Sequence, residues 1–251
     1  PQFAAFPLVH QQKGVHLLKN YYRKYLTIAS EYGTGFILEA PTWRASADWG
    51  EKLGYSEEAV CQANKDSIAL LDTLRKEFVD SGSKDIVISG NIGPRGDGYV
   101  AKDKMSSDEA EQYHLKQISV FSDETNADMV SALTINYVEE AIGIVRAAQS
   151  KQIPVVISFT LETDGVLPSG QRLKDAIEEV DGCTNSGPIY YMLNCAHPTH
   201  FASLLKESRD EAWTKRILGI RANASKMSHA ELDECETLDD GSPPELGEEY
   251  A

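Results

Sequence analysis

The chain has 251 residues, 41% of them apolar, and Asp and Glu outnumber Lys and Arg 39 to 24 for a formal charge of -15. That balance argues against a nucleic-acid partner, because binding to a phosphate backbone rests on counterion release by clustered Lys and Arg. No apolar run reaches the roughly 18 to 20 residues of a membrane span, and the N-terminus lacks the basic, apolar, small-residue order of a signal peptide. A soluble, cytoplasmic protein with no membrane partner is expected.

Lys13 to Tyr32 places Val15, Leu17, Leu18, Tyr21, Tyr22, Tyr25, Leu26 and Ile28 on roughly one side and predicts a helix, with no strand visible before it. A short strand follows at Phe36 to Ala40. Val60 to Val79 then carries Cys61, Ile68, Leu70, Leu71, Leu74 and Phe78 at helical spacing. Further strands are read at Asp85 to Ile92, Met129 to Ile135, Ile153 to Leu161, Pro188 to Cys195 and Ile217 to Ala224, and further helices at Ser107 to Glu124, Tyr137 to Gln149 and Thr199 to Glu207. Ser228-His229-Ala230-Glu231 is a capping box that predicts a helix start ahead of Leu232 and Leu238, while Gly241 with Pro243 and Pro244 reads as a stop.

Strands alternating with helices point to βαβ units and a parallel sheet. A doubly wound sheet stays open, although the glycine-rich first turn that it usually carries is missing. The better match is a (β/α)8 TIM-type barrel in one domain, 1–251, with the first and last strands absent from this chain, so that both ends are expected to be truncated. Just past each strand lies polar, turn-forming sequence, such as Pro41-Thr42-Trp43-Arg44, Asn91-Ile92-Gly93-Pro94-Arg95-Gly96-Asp97-Gly98, Thr134-Ile135-Asn136-Tyr137 and Asn194-Cys195-Ala196-His197-Pro198. In a barrel these ends converge on the face that holds the active site.

The four cysteines, Cys61, Cys183, Cys195 and Cys235, form no CxxC pair, and an isolated cysteine is expected to be a buried small apolar residue. Cys195 is the exception, because it ends a strand and its sulfur should face the mouth, where a thiolate can take zinc. His197 and His200 follow closely, but Pro198 between them suggests a turn into a helix with His197 near its N-cap. His229, inside the capping box, is expected to be solvated. Gly93 to Gly98 lacks the ending of a P-loop and reads as a wide loop, no strand ends in a Schiff-base lysine, and nothing resembles a nucleophile elbow. Trp43 and Arg44 could wall a pocket and hold a carboxylate, or pack as an indole and a surface ion pair. Glu39 is either a site carboxylate or paired inside the barrel.

Four segments together resemble the homocysteine S-methyltransferase family: Asn194-Cys195 before a Pro-containing helix entry, Gly90-Asn91-Ile92-Gly93-Pro94, Ser158-Phe159, and Thr42-Trp43-Arg44-Ala45-Ser46. They occur in the family's order across almost the whole chain. The resemblance implies a zinc-dependent methyltransferase that moves a methyl group from a sulfonium or ammonium-type donor to the thiolate of homocysteine or a related thiol, as in methionine biosynthesis. It implies Cys195 as catalytic metal ligand, with Trp43, Arg44, Asn91 and Asn194 as candidate substrate-binding residues. Zinc makes chemical sense, because a thiol with a pKa near 8.5 is mostly protonated at neutral pH and becomes a thiolate when bound. The family's paired cysteines of a final strand and its N-terminal DGG strand have no counterpart in this chain. A further departure is Leu133, which stands where the family usually carries a glutamate for the amino group of homocysteine. A barrel enzyme diverged to another substrate and a non-catalytic ligand-binding or assembly barrel are the alternatives, and a homo-oligomer is compatible with any of the three.

Overall fold

The computed structural model describes residues 3–80, 82 and 85–250. Six strands are present among them: β1 (Phe36–Glu39), β2 (Ile86–Ile92), β3 (Met129–Ile135), β4 (Val155–Thr160), β5 (Tyr190–Asn194) and β6 (Ile217–Arg221). All six strands read from the sequence are found, each within a few residues of its expected bounds. Every pairing is parallel and the order is β1-β2-β3-β4-β5-β6. That order excludes the doubly wound alternative, in which strand order reverses at a switch point.

The sheet is curled. Laid flat, six strands at about 4.8 Å spacing would put the two edges about 24 Å apart, yet Glu39 on β1 makes an ion pair with Arg221 on β6. Two side chains cannot bridge a flat sheet, so the architecture is a half-barrel with both edge strands turned toward one another. This settles the two readings of Glu39: it is paired inside the curl, where burial raises its carboxyl above the ordinary range although Arg221 opposes that shift.

Helices cover the outside: α1 (Gln12–Glu31), α2 (Ala47–Lys52), α3 (Glu57–Asp80), α4 (Ser107–Glu124), α5 (Val138–Ser150), α6 (Leu173–Thr184), α7 (Ala202–Glu207), α8 (His229–Glu234) and α9 (Pro243–Tyr250). β3 and β4 are buried along their whole length, as strands covered on both faces must be, which is why they read as continuous apolar runs. The core joins Leu38, Ile88, Val130, Ile157, Phe159 and Leu193 of the strands to Leu71, Ile118, Phe121, Ile144 and Ile177 of the helices. α4 and α5 meet closely because Gly143 has no side chain: a Cβ there would lie 2.4 Å from the Cβ of Ala110.

Several local expectations need correction. The apolar side of α1 splits in two, with Leu18, Tyr22 and Leu26 buried while Leu17, Tyr21, Tyr25 and Ile28 are exposed. Residues four apart stack on one helical face, and the exposed set falls about a quarter turn away from it. The helix opened by Ser228 and Glu231 ends at Glu234 and leaves Leu238 exposed. Pro243 and Pro244 start α9 rather than stop a helix, since a proline in the first turn forfeits no hydrogen bond. Gly241 ahead of them has φ +59°, and a Cβ there would meet the Ala224 carbonyl oxygen at 2.1 Å. α2 and α6 were not singled out in the sequence. No helix among the described residues is long and apolar enough to cross a membrane.

Candidate active site

The parallel strands deliver their C-terminal ends to one rim, and there the backbone departs twice from ordinary geometry. Cys195, directly after β5, has φ +57°, and Thr134, in β3, has φ +65°. Left-handed backbone costs a non-glycine residue roughly 1–2 kcal/mol, and a β-branched residue such as Thr134 is an outlier there. At Thr134 the β3–β4 register shifts between Ala132 and Ile135. Such bulges re-aim side chains beside functional sites.

Asn194 links the two strained residues. Its Oδ1 accepts from the Thr134 N–H at 3.0 Å and from the Ser158 hydroxyl at 2.6 Å. Its Nδ2 donates to Thr134 Oγ1 at 2.9 Å and to Cys195 Sγ at 3.0 Å. Both lone pairs and both protons of the amide are thereby used, so Asn194 ties β3, β4 and β5 together at the rim. The Cys195 sulfur also accepts from Tyr99 Oη at 3.5 Å and lies 3.9 Å from Thr134 Oγ1. Burial pushes the Tyr99 hydroxyl above its ordinary range, with Cys195, Asp233 and Asp97 acting in the same direction, so it remains a proton donor. Cys195 thus points into the mouth, as its strand-end position suggests.

The remaining cysteines do not follow the expectation of burial: Cys183 and Cys235 are exposed and Cys61 is half-buried. Cys61 and Cys183 sit on the outer helices α3 and α6 but not among their buried positions, which include Ile68, Leu71 and Leu74 on α3 and Ile177 and Val180 on α6.

Trp43 donates its indole N–H to the Leu133 carbonyl at 3.0 Å and so packs on the β3 bulge. Arg44 is buried, with its guanidinium 4.2 Å from the Trp43 ring centre and 3.7 Å from that of Trp49, and its Nη1 donates to the Gly96 carbonyl at 2.9 Å. Burial lowers its pKa to about 10. Arg44 therefore joins the loops that follow β1 and β2. Its surface-ion-pair alternative does not hold, and its Nε has no hydrogen-bond partner among the described residues. Asn91 exchanges backbone hydrogen bonds with the Thr42 hydroxyl, while its buried Oδ1 has no partner among the described residues. The buried Thr160 hydroxyl and Asn136 Oδ1 are likewise unpartnered. Unmatched buried acceptors are uncommon and need an explanation, and one is a ligand.

His197 is the N-cap of the turn at Pro198–His200, accepting from the Thr199 N–H, as Pro198 leads one to expect. His200 Nε2 lies 2.9 Å from the Lys226 carbonyl. His229 overturns the expectation of a solvated side chain: it is 10% exposed and its Nε2 donates to the Cys195 carbonyl at 2.6 Å. Tyr99 and Thr134 are rim residues that the sequence did not single out, and His229 is one to which it gave no site role. Thr134 lay in a polar strand-end segment and Tyr99 directly after another, which was the one available signal, whereas the capping box accounted for its neighbours and hid the role of His229.

A sulfur-bound zinc takes three or four protein ligands. Among the described residues no group of three His, Cys, Asp or Glu side chains could hold a metal ion, and Cys195 alone among the cysteines lies at the rim. The described residues therefore provide one thiol and do not by themselves complete a zinc site.

A parallel half-barrel whose strand ends gather a cysteine, its hydrogen-bond donors and several unmatched acceptors defines an α/β barrel-type enzyme. The family model for homocysteine S-methyltransferase matches residues 4–247, and the chain belongs to that family and is a methyltransferase of its kind. The fold is similar to that of the homocysteine methyltransferase MmuM from Escherichia coli. The metallated form gives a TM-score of 0.67 at 15% identity, covering 91% of this chain and 85% of that one. The apo form gives 0.61 at 16%, covering 91% and 86%. Comparison with curated proteins gives no match.

Proposed function

We propose that this methyltransferase moves a methyl group from a sulfonium or ammonium-type donor to the thiolate of homocysteine or a closely related thiol, with Cys195 as the metal-ligand position. The carrying observation is the Cys195 sulfur, fixed at the strand-end rim by a left-handed backbone and the Asn194 amide. In the transfer, the substrate sulfur forms its bond to the methyl carbon as the donor's carbon–sulfur or carbon–nitrogen bond breaks, and the donor leaves as a neutral sulfide or amine. The chain's own part is to hold and orient. Trp43, Asn91 and Arg44 shape one side of the mouth, the unmatched Asn91 Oδ1 is suited to a donor group of the substrate, and Asn194 sets the floor. Zinc enters this reading only through Cys195, since the described residues offer one ligand.

Leu133 favours a second reading, in which the thiol is not homocysteine. Its buried side chain presents no carboxylate to an α-ammonium group. One experiment separates the two readings. Purified protein is assayed for methylated product with homocysteine and with thiols that lack the amino group, using sulfonium and ammonium donors, and its bound metal is measured by mass spectrometry. Methionine formation that is lost together with the metal in Cys195→Ala supports the first reading. Turnover only with other thiols supports the second, and full activity in Cys195→Ala refutes both.

A further inference from the structure

We infer that His229 is a positioning residue that sets the aim of the Cys195 sulfur, an inference that rests on the reading of Cys195 as the site's thiol. The Cys195 carbonyl accepts from His229 Nε2 at 2.6 Å and from Asn223 Nδ2 at 3.2 Å, and its N–H donates to the Arg221 carbonyl at 3.1 Å. Both backbone groups of this left-handed residue thus bond to the end of β6 and to the segment that runs from it into α8. The side chain contacts a different set, Asn194, Tyr99 and Thr134.

His229 is itself held from several directions. Its Nδ1 lies 3.4 Å from Glu162 Oε1, and its ring packs on that of Tyr99 with centroids 4.3 Å apart. The residue before it is pinned by the Ser228–Glu231 capping box, in which the Ser228 N–H and hydroxyl both donate to Glu231 Oε2 at 2.8 Å. α8 buries no residue of its own, so this short helix does not dock through an apolar face. The imidazole is its attachment to the rim. Through one ring it holds the Cys195 carbonyl, and through the other face of the same contact it seats Tyr99, whose hydroxyl covers the sulfur.

The test is the rate at which Cys195 is alkylated by iodoacetamide in the full chain at fixed pH, followed by peptide mass spectrometry so that Cys61, Cys183 and Cys235 are scored separately. His229→Ala frees both the carbonyl and the Tyr99 ring, and the Cys195 rate should rise roughly tenfold, the scale of one lost buried hydrogen bond. His229→Gln, which keeps an N–H at about the same reach, should return the rate toward wild type. His229→Phe keeps the ring contact without the donor and should resemble His229→Ala. Methyl transfer should follow the same order, with kcat changing more than KM. A wild-type Cys195 rate in His229→Ala or His229→Phe, or failure of His229→Gln to restore it, overturns the inference. Because alkylation needs no turnover, that outcome is distinct from failure of the methyltransferase reading, which Cys195→Ala tests.

Discussion

Replacing Asn194 with alanine should separate what the rim network contributes to folding from what it contributes to function. The substitution deletes four hydrogen bonds and strands the buried Thr134 N–H and Ser158 hydroxyl without their acceptor. A buried donor left unmatched costs about 1–3 kcal/mol. The Ser158 hydroxyl can rotate to a new partner but the Thr134 N–H cannot, so a total near 3 kcal/mol is expected. At about 2–4 °C per kcal/mol for a chain of this size, the thermal midpoint should fall by about 6–12 °C. Asn194→Asp is the informative companion. It keeps the acceptor for Thr134 and Ser158 but replaces the Nδ2 donor that faces Cys195 Sγ with a carboxylate oxygen. Its midpoint should drop less than that of the alanine variant, while its methyl transfer should fall as far, by roughly a hundredfold, the scale of losing the two hydrogen bonds that Nδ2 donates. Calorimetry and a methylated-product assay on the same preparations give both quantities. An alanine variant within 2 °C of wild type, or an aspartate variant that retains activity, would refute the assignment of this network to the aim of the sulfur.

Three further outcomes are expected. Cys195→Ala should lose methyl transfer and any bound metal with the circular dichroism spectrum unchanged, because the residue is only half-buried and lies outside the apolar core. Glu39→Gln should flatten the dependence of thermal stability on pH. A carboxyl raised above its ordinary value of 4.5 by burial contributes stability that is present at low pH and is lost as pH rises past that value through the folded one. The variant should gain on wild type near neutral pH, and a parallel pair of midpoint curves would contradict this. Gly143→Ala should destabilise despite the better helix propensity of alanine, since the new methyl meets Ala110 at 2.4 Å and forces α4 and α5 apart at a cost of about 1–3 kcal/mol. A rise in thermal midpoint for that variant would show that the helix pair can spread freely.

Much of the architecture was legible because its signals are local. β3 and β4 announce themselves as short apolar β-branched runs, and the helix of 107–124 as a periodic one, so the six strands and most of the longer helices follow from sequence in their order. The split of α1 was not legible, since apolar content on one broad side does not say which stripe meets the core. Nor was α9, because a proline pair is read as a break or as a first turn according to what precedes it. At the rim, Cys195 and Asn194 could be found from their place at a strand end, whereas Thr134 and Tyr99 gain meaning from contacts sixty and ninety-six positions away in the chain.

By itself the sequence determined the alternation of strands and helices, the polar strand ends and the position of the one cysteine that reaches the rim, because hydrophobic period and turn chemistry are encoded over a few neighbouring residues. Tertiary structure alone decided that the sheet curls until Glu39 meets Arg221, that Arg44 lies between two indoles, and that His229 grips the Cys195 carbonyl. Those outcomes join residues far apart in the chain, and such contacts are set by how whole elements pack rather than by any local pattern.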